Sequence, residues 1–262
     1  MKKSNFKISI LFCFMFLSLK NISGQECPLP SSTKVLEGNN ISANIMLGGD
    51  LFWDRENGNA LFQSPMNQQP FINTIFNAGL FVGAYDNQNQ LKVAATIYPS
   101  ENRKDFAAGP IINNNGTLEF DCENYDQLWE VFGYEIQQHI SDFEDNGIID
   151  HPILNIFGYP AHENSFFENI HGFHLPKTPQ GLAPFYDVNN DGIYSPDLGE
   201  FPLPSSVNKN NIPSHIIWGI FNDGATSHTE SMGEPLNIEV QLTAWAFSCK
   251  ENEILNNSIS VN

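Results

Sequence analysis

Basic side chains are scarce in this chain: 12 Lys and Arg stand against 30 Asp and Glu, a formal net charge of -18 over 262 residues. A phosphate backbone is gripped by basic groups that displace its counterions, so this balance excludes nucleic acid as a partner. Cysteine is equally sparse, with four residues and no C-x-x-C pair, which removes zinc-ribbon and dithiol redox motifs. The chain has no G-x-S-x-G nucleophile turn, no H-E-x-x-H helix and no Gly-rich phosphate loop. Ser31-Ser32-Thr33-Lys34 contains S-x-x-K but sits in a polar segment with no helical pattern after it. No internal repeat occurs, and glycine and proline are near ordinary usage, which excludes collagen and long coiled coils. A 41% hydrophobic content supplies a core and excludes wholesale disorder.

The longest apolar run, 8–19, is too short for the ~20 residues that a membrane-spanning helix needs, so no span is expected in the mature chain. Lys2, Lys3 and Lys7 precede the run, and Ser23 and Gly24 end it, the three-part pattern of a secretory signal peptide over 1–24. Cleavage there removes four lysines and no acids and leaves an exported chain more acidic still. A lipid anchor is excluded because Cys27 follows Glu26, not a small residue. The mature chain keeps Cys27, Cys122 and Cys249, an odd number that permits one disulfide plus a free thiol or a partner elsewhere.

The expected fold is mainly β, with antiparallel sheets arranged like a β-sandwich, one amphipathic helix and a long irregular Pro/Asn-rich segment. Residues 25–120 form a β-rich region in which 78–85 and 91–98 make a hairpin across the polar cluster 86–90. Asn113-Asn114-Asn115-Gly116 is a further turn. Over 121–150 the spacing of Trp129, Phe132, Ile136, Ile140 and Phe143 predicts one helix, with Asn124 as its cap, Gln127 three residues on and an end near Asp142. Its apolar stripe is read as core-facing. Residues 151–210 are irregular, and strands return over 211–262: 215–221, the alternating run 236–246 and a partner over 254–261. The chain ends inside that last strand, as expected of the front part of a longer protein.

Tyr186-Asp187-Val188-Asn189-Asn190-Asp191-Gly192-Ile193 is the sharpest chemical signal, a D-x-N-x-D-G loop. Oxygen side chains at its first, third and fifth positions converge as the backbone coils, Gly192 permits the turn and Ile193 offers a carbonyl. Hard oxygen donors at this spacing suit calcium, and the calcium reading is preferred to a plain Asp/Asn/Gly turn. The twelfth position, Leu198, carries no carboxylate, and prolines at 184, 196 and 202 forbid EF-hand helices, so Asp197 or Glu200 is expected to close the shell. A weaker relative, with Asp142, Glu144, Asn146 and Asp150 at one, three, five and nine, is read first as a helix-ending Asn-Gly turn and second as a metal site. His162, His171 and His174 lack the companions that zinc requires and are read as structural.

The segments NAGLFVGAYDNQNQLKVAATIY, KDFAAGPI, DFEDNGIID, YPAHEN, GLAPFYDVNNDGIYSPDLGEFP and WGIFNDGATSHTESMGEPLNIEVQLTAWAF together resemble the N-terminal half of large uncharacterised secreted proteins of Bacteroidota-type bacteria. The resemblance runs from about residue 45 to the end of the chain. It implies Sec export followed by type IX secretion, directed by a C-terminal sorting domain that this chain lacks. Phe81-Val82-Gly83-Ala84-Tyr85 replaces the usual W-I-G-G, and Gly158-Tyr159-Pro160 replaces W-P, so nothing built on those tryptophans carries over. The resemblance brings no activity. The reading that follows is a secreted or cell-surface structural and adhesive protein with a structural calcium loop, whose exposed aromatics meet glycan or another surface component. An extracellular polysaccharide hydrolase is the alternative, and an acid pair in a deep cleft would distinguish it.

Overall fold

A computed structural model describes residues 26–66, 70, 72–98 and 103–262; the signal segment 1–24 lies outside the described residues. The protein is mainly strand, in antiparallel sheets. Two five-stranded sheets dominate. In the first, Thr33–Leu36, Ser42–Met46, Asp50–Leu51 and Ala78–Gly79 lie in that order, and Phe62–Gln63 also pairs with Ser42–Met46. In the second, or central, sheet the order is Trp129–Phe132, His215–Asn222, Glu239–Ala246 and Ile259–Val261, with Ala107–Ala108 joining the end of His215–Asn222.

Strand His215–Asn222 is buried at all eight positions, because the central sheet is covered on both faces. Side chains alternate along a strand. Ile217 and Phe221, with Leu242, Ala244 and Ala246, share one core with Leu36, Ala43 and Ile45 of the first sheet. The front and back β regions are therefore joined by a single sandwich-like core. Gly219 lets this interface close: a Cβ there would lie 2.5 Å from Leu128 Cδ2 and 2.8 Å from Leu47 Cδ1. Ile216, Trp218, Ile220 and Trp245 point the other way, into a second core with Ile136, Ile156, Phe167 and Tyr194 from the helix and the irregular segment. A disulfide between Cys27 and Cys122 ties the first described residues to the short helix Cys122–Tyr125, and Cys249 is free.

The hairpin expected over 78–98 forms, with Phe81–Tyr85 against Leu91–Ala95 in register from Phe81↔Ala95 to Tyr85↔Leu91. Residues 113–116 also turn as expected, joining Ile112–Asn114 to Thr117–Glu119, with Asn115 and Gly116 both at positive φ. The helix differs at its start. Trp129 and Phe132 belong to a strand, and the helix runs Gly133–Asn146. Pairing with His215–Trp218 claims the first four residues, and Gly133, whose Cβ would meet Pro213 O at 2.3 Å, passes too close to that backbone for any larger residue. Glu135 reaches back to the Phe132 N–H at 2.9 Å, so the cap lies at Phe132 and not at Asn124. Asn124 sits instead in the short helix capped by Asp121. The far end passes Asp142 and stops at Gly147, in the left-handed conformation at φ 81°.

Three further expectations are corrected. The partner strand expected over 254–261 is a short helix, Glu253–Asn256, followed by a strand only over Ile259–Val261. The alternating run 236–246 is a strand only from Glu239, because Asn237 takes φ 58°, and from Leu242 onward both of its faces are buried. The irregular segment holds two short helices, Leu154–Phe157 and Phe167–His171, a 3-10 turn Pro196–Leu198 and a two-stranded ladder. No helix among the described residues is long and apolar enough to cross a membrane.

Candidate metal centre

The ladder inside the irregular segment pairs Phe185 with Pro202 and Tyr186 with Phe201. Its next residues on each side are Asp187 and Glu200, so the ladder brings the first and last carboxylates of the loop to one mouth. Between them the backbone coils through Asn190 at φ 61° and Gly192 at φ 77°. Asp187 accepts from the Asn190 N–H at 2.7 Å and the Gly192 N–H at 2.9 Å. Asn189 Oδ1 accepts from Asp191 N–H at 2.9 Å, and Asp191 Oδ1 accepts from Ile193 N–H at 2.7 Å. Asn189 Nδ2 donates to Asp191 Oδ2 at 2.9 Å. These are the short-range bonds that Asx residues make in turns, and they hold the coil without help from a core.

Glu200 is wholly buried, at 0% exposure. One of its oxygens accepts from Val188 N–H at 3.0 Å and the other from Ser195 N–H at 2.8 Å, spanning both limbs of the loop. Burial pushes its pKa up, the two N–H groups oppose that, and the nearby charges of Asp187 and Asp191 push it further up. Asp197 lies exposed on the 3-10 turn. Of the two acids expected to close the loop, Glu200 is therefore the one hydrogen-bonded to it. The helix supports this turn from below. Phe143 packs so closely on Gly199 that a Cβ there would lie 2.5 Å from the ring, and buried His139 lies beside the backbone of Pro196 and Glu200.

Asp187, Asn189, Asp191 and Glu200 carry hard oxygen donors, the type calcium takes, along one loop. As folded, the carboxylates are turned onto backbone N–H groups. Among the described residues no group of three or more His, Cys, Asp or Glu is placed to hold a metal ion. The loop is thus pre-coiled, and an ion would have to draw these oxygens inward.

The second candidate is arranged differently. Asp142 accepts from His151 N–H at 2.9 Å, and that bond is the main reason its pKa is held down. Asn146 donates to Asp150 at 3.0 Å and accepts from Ile148 N–H at 2.8 Å. Glu144 is exposed on the helix. These bonds end a helix, the first of the two readings given for this stretch.

The histidines do not converge. His171 bonds the Gly158 backbone oxygen at 2.8 Å among the rings of Trp129, Phe167 and Phe173, whereas His174 is exposed and pairs with Glu168 at 2.9 Å. Sequence reasoning passed over a different histidine. His228 has Nδ1 2.7 Å from Val93 O and Nε2 2.9 Å from Asp223 O. The Asp105 and Asp223 carboxylates lie 3.8 and 3.9 Å from the ring nitrogens. Asp105 also accepts from Ala95, Glu230 and Ser231 N–H, and Asp223 from Leu236 and Ile238 N–H. This buried knot staples loop 222–238 to the hairpin strand Leu91–Ala95. Its only sequence signal is a dense polar run, Asn222 to Ser231, between two apolar strands.

That hairpin presents the most exposed aromatic face of the molecule described here. Phe81, Gly83 and Tyr85 share one side of the strand opposite Ala95, Val93 and Leu91. Phe81 is 68%, Tyr85 67% and Leu91 55% exposed. Gly83 puts no side chain between Phe81 and Tyr85, whose Cα positions lie about 13 Å apart along a strand rising ~3.3 Å per residue. No family model, characterised protein or solved structure matches the chain.

Proposed function

We propose that the protein is a secreted or cell-surface structural and adhesive module. In this reading calcium in the 187–200 loop stiffens the irregular segment, and the aromatic face of the hairpin meets glycan or another surface component. The single observation that carries the reading is that exposed face, Phe81 and Tyr85 flanking Gly83, on a hairpin whose second strand contacts His228 through the Val93 carbonyl. Exposed apolar rings on one face suit an interaction surface, because leaving them in water costs free energy that a purely structural hairpin would avoid. The Cys27–Cys122 disulfide is in keeping with export through an oxidising compartment, and type IX secretion is the route we propose. In the candidate centre Glu200, the acid whose pKa burial raises, is hydrogen-bonded to two backbone N–H groups, so the hydrolase alternative is not preferred.

Affinity electrophoresis of the full chain through gels containing neutral polysaccharides tests the reading. Retardation should occur with at least one polymer and should fall about tenfold in affinity when Phe81 and Tyr85 are both replaced by alanine. If the double variant melts normally and is retarded as strongly as the parent, the hairpin is not the adhesive face.

A further inference from the structure

We propose that a groove built on Gln180, Glu239 and Gln241 is a binding subsite for a neutral oligosaccharide, a proposal that rests on the glycan reading above and gives it a second surface. Two grooves, of about 820 and 540 Å³, meet at Gln180 and Gln241, which line both. Each lies within the roughly 300–1,000 Å³ of small-molecule sites, and two grooves that share lining residues suit a chain ligand better than a single ring.

The junction is pre-organised. Glu239 accepts from Ile111 N–H at 2.9 Å, from Gln180 Nε2 at 2.9 Å and from Gln241 Nε2 at 3.0 Å. The same amide nitrogens also face backbone oxygens, Gln180 that of Ile111 and Gln241 that of Gly181, each at 3.3 Å. Both amide groups are thereby locked with their N–H edges turned to the protein, which leaves the amide carbonyl oxygens as the edges offered to the groove. Orientation of this kind is set before a ligand arrives, so binding does not have to order the two long side chains. Along the 540 Å³ groove, Phe185 adds a half-buried ring and His162 a buried Nδ1 without a hydrogen-bond partner.

The two fixed amide carbonyls at the junction call for a ligand rich in donors. Lys177 also lines the larger groove but is paired with Glu163 at 3.1 Å, and Glu239, Asp187 on the neighbouring wall and the net charge of -18 disfavour anions. Glu239 is the single carboxylate along its groove and is engaged by three donors, which disfavours a metal ion there. Sugar hydroxyls supply donors at several positions around one ring, and the ring's C–H face packs on an aromatic such as Phe185. Asp187 and Gly192 of the candidate calcium loop form part of the same wall, so the shape of the loop sets the shape of the groove.

The test is a glycan array of neutral and acidic oligosaccharides probed with the full chain in calcium, followed by titration calorimetry on the strongest neutral hexasaccharide. Parent, Gln180→Met with Gln241→Met, and Phe81→Ala with Tyr85→Ala are compared, each checked by thermal melt. The groove variant should lose at least tenfold in affinity with an unchanged melt, and chelator should weaken the parent. Loss confined to the hairpin variant overturns the groove and leaves the adhesive reading standing. Binding only of acidic glycans overturns the ligand class, and binding of no glycan at all overturns both readings.

Discussion

The turn at 142–150 and the loop at 187–200 set oxygen side chains at the same first, third and fifth positions, yet they are built for different ends. In the turn, the oxygens close a helix: Asp142 holds His151, Asn146 holds Ile148, and Gly147 takes the left-handed cap. In the loop they coil the backbone on itself, and a wholly buried carboxylate, Glu200, clasps both limbs. Spacing alone therefore does not make a candidate ion site. What separates the two is an acid thirteen residues after the first, brought to the loop's mouth by a ladder of two residue pairs.

Glu200→Ala is the sharpest way to break the comparison. It strands the Val188 and Ser195 N–H groups in a buried setting and should cost about 2–4 kcal/mol in chemical denaturation, since each unpaired buried donor costs ~1–3 kcal/mol. Glu144→Ala, at an exposed position of the turn, should stay within about 0.5 kcal/mol of the parent. Equal losses would mean that the loop has no special closing acid.

Calcium should sharpen it next. With ~10 mM calcium and a site of ~0.1 to 1 mM affinity that binds only the folded form, linkage predicts about 1.4 to 2.7 kcal/mol, or roughly 3 to 10 °C in a thermal melt against chelator. Asp187→Ala with Asp191→Ala should abolish the shift, and Asp142→Ala with Asp150→Ala should leave it intact. No shift in the parent would reduce the loop to a self-sufficient Asx turn.

The smallest effect is one of sign. Burial raises Glu200 above the ordinary 4.5, so its contribution to stability is present in acid and is lost as pH rises through the raised value. Asp142 is held below 3.8 by His151, so its contribution is present above that value and is lost as pH falls. In chelator between pH 3 and 7, the stability of the parent minus that of Glu200→Gln should therefore decline with pH. The difference between the parent and Asp142→Asn should rise instead. Two difference curves of the same slope would contradict the opposite environments of the two acids.

Much of this was legible along the chain and some was not. The hairpin 81–95, the Asn-Gly turns and the D-x-N-x-D-G coil announce themselves, because each is held by bonds within one short stretch of chain, at most fourteen residues apart. The helix was legible by its stripe but not by its start: Trp129 and Phe132 fit the helical spacing, and only pairing with a strand more than eighty residues away makes them sheet. The early strands Thr33–Leu36 and Ser42–Met46 were hidden because the first has only four residues and the second is buried at four successive positions, so neither shows a clear alternation. Alternation over 236–246 suggested one buried face; the second core on the far side of the central sheet makes it two. Glu200 was one of two acids that the spacing allowed, and the choice between them rests on a ladder too short to leave a pattern.

By itself the sequence determined the acidic character, the β-rich class and the local coil of the turns, because composition, alternation and Asx bonding act over a few residues at a time. Tertiary structure alone decided the rest. It joined the front and back sheets in one core, paired Cys27 with Cys122 across 95 residues, and set His228 against a carbonyl 135 residues distant. Burial and the pairing of buried polar groups depend on which distant segments meet, and a loop's acid becomes its clasp only where packing has removed the water that would otherwise compete for it.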